Sequence, residues 1–332
     1  MSLRKNLARL SGVLSLAAIA QGQKYGTQPS YNLQDSYDTS NFFEEFDFFN
    51  GPDPTSGFVQ YVDATTANST GLAGYANGGV YLGVDYKTKN PSAGRASVRL
   101  TTKKAYTHGL IIADIAHQPA PACGSWPAFW TFGPSWPHNG EIDIIEGVNM
   151  QTNTSITLHT APGCKFSQDS FSSADCGSPG DGTTGCGTTT ENVKTFGAGF
   201  NKIGGGVYAL QWTSKAINIF FFPRTGKIPS DIQKGKPDPS GWGKPTASFS
   251  GGSCDIDSNF MNHNIVFDTT FCGQWAGKVW GADPVCSAKA STCEQYVGSN
   301  PDAFEDSYWL INYVKVFSEA GMKRGIAKRF DA

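Results

Sequence analysis

Charge is scarce in this chain. Asp, Glu, Lys and Arg make up only 16% of its 332 residues, and 26 basic side chains nearly balance 28 acidic ones. Such a balance builds no basic face to neutralise phosphates, which argues against nucleic-acid and anionic-membrane partners. Long apolar runs are missing too. The run from Leu10 to Ile19 is interrupted by Ser and Gly and falls well short of the roughly 20 residues that a membrane span needs. Helical periodicity is sparse, which weighs against a helix bundle. No CxxC and no Cys/His zinc spacing occurs, so no metal and no cofactor is expected.

What is present is more telling. Aromatic residues reach 13%, and there are 39 glycines and 8 cysteines. Arg4, Lys5 and Arg9 precede the short apolar run, and Ala18-Ile19-Ala20 offers small residues for cleavage. Residues 1–20 therefore read as an export signal and 21–332 as one domain of a secreted protein. The last residues, from Ala320, carry bases but no hydrophobic tail, so no lipid anchor and no membrane partner is expected after signal cleavage. Export gives meaning to Cys123, Cys164, Cys176, Cys186, Cys254, Cys272, Cys286 and Cys293, an even set suited to disulfides whose pairing the sequence leaves open. Asn68-Ser69-Thr70 and Asn153-Thr154-Ser155 are compatible with glycosylation.

Short β-rich runs bounded by Gly, Pro, Asn and Asp recur along the chain, as an all-β sandwich requires. They include Gly79 to Val84, Ala96 to Thr101, Gly109 to Ile115, Ser155 to His159, Val207 to Trp212 and Ile217 to Phe222. Trp309 to Phe317 is long enough to lie centrally in a sheet. Between strands, Ala161 to Gly199 reads as a long loop tied down by Cys164, Cys176 and Cys186.

The chemistry concentrates after Trp126-Pro127-Ala128-Phe129-Trp130. Asn139-Gly140 marks a turn, and Glu141-Ile142-Asp143-Ile144-Ile145-Glu146 reads as the strand that follows. On a regular strand Glu141 and Asp143 share a face while Glu146 falls among the isoleucines. A β-bulge near Ile144-Ile145 restores Glu146 to the acidic face. The outer acids are then about four steps apart, roughly 13 Å between Cα atoms at ~3.3 Å per residue. Side chains leaning inward leave about 5 Å between carboxyls, the spacing of a retaining glycosidase. A retaining mechanism needs a nucleophile and an acid/base, and a third carboxylate between them can share a proton. Crowded carboxylates cannot all ionise together, which favours keeping one protonated. Trp126, Trp130, Trp136, Trp275 and Trp280 supply flat faces of the kind that stack on sugar rings.

The Trp126–Trp130 leader with Gly140 to Gly147, Cys123-Gly124 before it and Leu158-His159-Thr160 beyond it, resembles glycoside hydrolase family 16. The form is similar to the fungal-type endo-1,3(4)-β-glucanases, or laminarinases, from about Phe46 to Phe317. The resemblance implies a concanavalin-like β-jelly-roll sandwich whose concave face is a cleft for β-glucan, acting as a monomer. It assigns Glu141 as nucleophile, Glu146 as acid/base and Asp143 as assisting carboxylate. It places Trp130, Trp136, His159, Arg99 and Trp275 on substrate. A transglycosylase using the same covalent intermediate, and a non-catalytic glucan lectin, are the alternatives.

Overall fold

The computed structural model describes residues 30–167, 175–177 and 185–320. The expected export signal, 1–20, lies outside the described residues, as does the chain after Ala320.

Two antiparallel sheets stack face to face. The seven-stranded one runs, edge to edge, Cys186–Thr189, Ser155–His159, Glu141–Glu146, Ser125–Phe132, Asn264–Phe271, Arg99–Thr102 and Phe46–Phe48. The eight-stranded one runs Ala247–Ser250, Ala216–Pro223, Gly206–Trp212, Gly109–His117, Trp309–Glu319, Gly79–Leu82 and Ala73–Ala76, with Tyr31–Tyr37 also on Trp309–Glu319. The Trp309–Glu319 strand is central, as its length suggests.

Alternation along the strands explains the layering. In Gly206–Trp212, Tyr208, Leu210 and Trp212 point into the core between the sheets. Val207 and Ala209 point the other way, into a second apolar layer with Phe220, Phe222 and Ile232. That strand is buried on both faces and so reads as an almost continuous apolar run. In the main core Phe129 stacks on Phe267 with ring centroids 4.4 Å apart. Burying either ring contributes about 2–3 kcal/mol.

Two expectations need adjustment. Ala96 to Thr101 is not one strand. Arg95–Ser97 pairs in parallel with Val59–Tyr61, while Arg99–Thr102 joins the seven-stranded sheet. The break falls at Val98, between two buried arginines that have different partners. Arg95 is fully buried and donates to the carbonyls of Val297 and Asp85, whereas Arg99 lies opposite Asp268. The Ala161–Gly199 segment also carries more order than a loop. It supplies the edge strand Cys186–Thr189 and the first half of the short helix Gly197–Lys202.

All eight cysteines are paired: Cys123–Cys286, Cys164–Cys254, Cys176–Cys186 and Cys272–Cys293. The first and last of these bridges frame a separate apolar cluster with Phe271, Trp280, Val297 and Phe304. Trp280 is buried there and its indole donates to Ala290 O, so it is a core residue. Asn68 lies exposed on the Ala64–Thr70 helix, but the Asn153 amide donates to Thr190 O.

Candidate active site

The Glu141–Glu146 strand carries the site. Asp143 pairs with Thr157 on one side and Trp130 on the other, and Glu146 with Ser155 and Ala128. Three steps on this strand therefore answer two on each neighbour, which is the expected bulge. Glu141, Asp143 and Glu146 all face the cleft, while Ile142, Ile144 and Ile145 enter the core. Glu141 to Glu146 spans four steps of each neighbouring strand, His159 to Ser155 and Phe132 to Ala128. That is roughly 13 Å at ~3.3 Å per step.

Each glutamate is held by an indole. Trp136 Nε1 donates to Glu141 Oε2 at 2.7 Å, and Trp126 Nε1 donates to Glu146 Oε1 at 2.8 Å. Trp136 comes from the turn that closes on Gly140, whose φ of 78° is left-handed and natural to glycine. His263 clamps that turn from below. It is buried and bonds Asn139 O through Nε2 and Thr131 Oγ through Nδ1. Trp126 rests edge-on against Trp275, 5.6 Å away at 90°. Asn149 fastens this corner, accepting from Gly124 N and donating to Ala276 O.

His159 is the register partner of Glu141. Its Nε2 lies 3.3 Å from Asp143 Oδ2 and 3.7 Å from Glu141 Oε1. Across the sheet, the Arg99 guanidinium sits 4.9 Å from the Trp130 ring, 5.0 Å from Phe49 and 5.7 Å from Phe132. All eight residues anticipated from sequence thus lie on this face or its rim. Two further residues belong to the site. Trp126, which the sequence offers only as a stacking face, shares a strand face with Ala128 and Trp130 and serves Glu146 through its N–H. Asp268, buried opposite Arg99 and accepting from Tyr61 Oη at 3.2 Å, comes from a strand distant in sequence and carries no local signal.

The charges are unequal in company. Burial, then the Asp143 charge, pushes Glu141 up to about 8, against the pull of His159, the Trp136 N–H and Arg99. Burial and Asp143 also push Glu146 well above the ordinary range, and of its lowering contacts the Trp126 N–H is the largest. Glu141 thus has the more cationic support, from both His159 and Arg99. Burial opposes a charge on His159, yet the contact with Asp143 and the field of Glu141 lift it to about 10. The contact with Asp143 and the field of Glu141 thus favour the imidazolium form of His159. Ligand atoms of Glu141, Asp143 and His159 lie within 4.8 Å of one another.

Comparison with known proteins agrees with this geometry. Residues 46–317 match the family model described as an XgeA-like, catalytic GH16 domain. An endo-1,3(4)-β-glucanase of Arthroderma benhamiae is 46% identical over 94% of this chain and 69% of its own length. A probable endo-1,3(4)-β-glucanase of Aspergillus niger is likewise 46% identical, but this chain spans only 40% of it. Among solved structures, an elongating GH family 16 β-1,3-glucosyltransferase is 42% identical, with TM-score 0.80 over 87% of this chain and all of that one. Laminarinase 16A of Phanerochaete chrysosporium, solved with 6-O-glucosyl-laminaritriose in donor and acceptor sites, is 37% identical with the same TM-score and coverage. With a two-sheet sandwich and a bulged strand of three acids on its cleft face, the chain belongs to glycoside hydrolase family 16.

Proposed function

We propose that this protein is a secreted, retaining endo-β-glucanase acting on 1,3- or mixed 1,3/1,4-linked glucan, with residues 21–332 as one monomeric catalytic domain. The observation that carries this reading is the pair of glutamates four strand steps apart on one cleft face, each fixed by an indole N–H. In the first step the Glu141 carboxylate bonds to the anomeric carbon as the glycosidic C–O bond breaks. The leaving oxygen takes the proton of Glu146. In the second step water attacks the same carbon, gives its proton to Glu146, and frees Glu141.

Asp143 and His159 form an internal ion pair beside the nucleophile, and the His159 cation also favours the ionised form of Glu141. Trp130, Trp136 and Trp275 offer ring faces to a neutral glucan, and Arg99 offers N–H donors to its hydroxyls. Four disulfides suit an exported protein. Incubation with laminarin and lichenan should release reducing ends, and Glu141→Gln should abolish the release; no release from either glucan would sink the reading.

A second reading, transfer to a sugar acceptor through the same intermediate, is favoured by the 42% identity to a β-1,3-glucosyltransferase. Mass spectrometry at high oligosaccharide concentration separates the two. Lengthened chains mark transfer, and shortened ones alone mark hydrolysis. Tight binding without turnover would instead favour the lectin reading.

A further inference from the structure

We propose that Trp126 is a positioning residue that fixes which oxygen of Glu146 carries the transferable proton. The inference rests on the acid/base role read for Glu146.

An indole N–H can only donate. Trp126 Nε1 lies 2.8 Å from Glu146 Oε1, so Oε1 must present a lone pair to it. In a protonated carboxyl the carbonyl oxygen is the stronger acceptor, and the hydroxyl is then the other oxygen, Oε2. Oε2 makes no hydrogen bond to a described residue and is not walled off from solvent. It is therefore the atom free to meet the glycosidic oxygen. Its proton goes to that oxygen as the C–O bond breaks, and the resulting carboxylate keeps the Trp126 N–H on Oε1. When water later attacks, Oε2 is again the open base. One indole thus aims both proton transfers without exchanging a proton itself.

The indole is itself constrained. It stands on the same strand face as Trp130 and meets Trp275 edge-on at 5.6 Å. Trp275 belongs to the Gly273–Gly277 turn, whose Ala276 carbonyl is held by Asn149 and whose start is tied by the Cys272–Cys293 bridge. Asn149 also holds Gly124 N, two residues before Trp126. The hydrogen bond to Glu146 is therefore set by a stapled corner.

The test is Trp126→Phe, read as kcat/KM on two substrates. Laminarin needs acid assistance to its leaving sugar, whereas a 2,4-dinitrophenyl β-laminaribioside leaves without it. We expect a loss of about tenfold or more on laminarin, the scale of one charge-assisted hydrogen bond. On the dinitrophenyl substrate the loss should be less than about threefold on the same scale. The alkaline limb on laminarin should also move to higher pH, because the lost N–H had favoured the carboxylate. Equal losses on both substrates, or none on either, would overturn the proposal. If the variant does not fold, the wild-type protein still decides. The ¹⁵N-indole proton that shows a nuclear Overhauser contact to the Trp275 ring should titrate with the alkaline limb, and stop doing so in Glu146→Gln. A resonance that ignores pH overturns the proposal as well. Wild-type protein that releases no reducing ends from any glucan removes the functional reading and this inference together; active wild type with equal losses removes this inference alone.

Discussion

His159 Nε2 stands 3.3 Å from Asp143 Oδ2, making a nearly buried ion pair directly beside the Glu141 carboxylate. Asp143 is 2% exposed, so its charge has little water to fall back on if the imidazolium goes. Removing one partner of a buried pair costs about 3–5 kcal/mol. His159→Ala should lower the melting temperature and reduce kcat/KM on laminarin by at least about tenfold. Paired thermal melts and kinetics check this. An active variant of unchanged stability would show that the pair does not hold the site.

Trp136 is 45% exposed, yet its N–H end reaches Glu141. Trp136→Phe keeps a stacking ring and loses the donor, while Trp136→Ala loses both. We expect the first to lower kcat by about fivefold, near 1 kcal/mol, with a small change in KM. The second should raise KM as well. Steady-state kinetics on laminarin-derived oligosaccharides separate the two effects.

The pH profile should be bell-shaped. Activity requires Glu141 ionised and Glu146 protonated, so it falls on the acid side as Glu141 takes a proton and on the alkaline side as Glu146 loses one. Burial raises both groups. The acid limb of kcat/KM should therefore lie above the ordinary glutamate value of 4.5, and His159→Ala should move it higher by removing the nearby cation. An acid limb at or below 4.5 would contradict the buried setting of the nucleophile.

Stability should carry a separate acid signature. Burial lowers His263 from 6.5 to about 4. The folded protein thus binds this proton less readily than the unfolded chain does. The resulting loss of stability begins as pH falls through 6.5 and is complete below about 4, reaching about 3 kcal/mol. Denaturant melts between pH 7 and 4 should show the slope, and His263→Gln should flatten it.

Much of this was legible in the sequence because strand faces alternate. The bulge follows from the need to bring Glu146 back beside Asp143, and the pairing register bears it out. Ser155–His159 holds the Ile156-Thr157-Leu158 run that marks it as a strand, with the bounds expected of it. What escaped was whatever depends on distant segments meeting. Asp268 lies opposite Arg99 only because Asn264–Phe271 inserts between two strands of much earlier sequence. The cage of Phe49, Trp130 and Phe132 around Arg99 likewise draws on three strands or their flanks. The disulfide pairing escaped for the same reason, since Cys123 and Cys286 are 163 residues apart.

The bulge also has a meaning on the side of the sheet that substrate never sees. Across the cleft the acids keep the pitch of an unbroken strand, four steps of each neighbour. A glucan laid over them would meet no trace of the additional residue. Underneath, Ile144 and Ile145 are both buried, 1% and 0% exposed, where a regular strand would have sent only one inward. The extra residue is thus an added volume of isoleucine in the sandwich, taken up by the core while the spacing of the chemistry above it stays that of a regular strand.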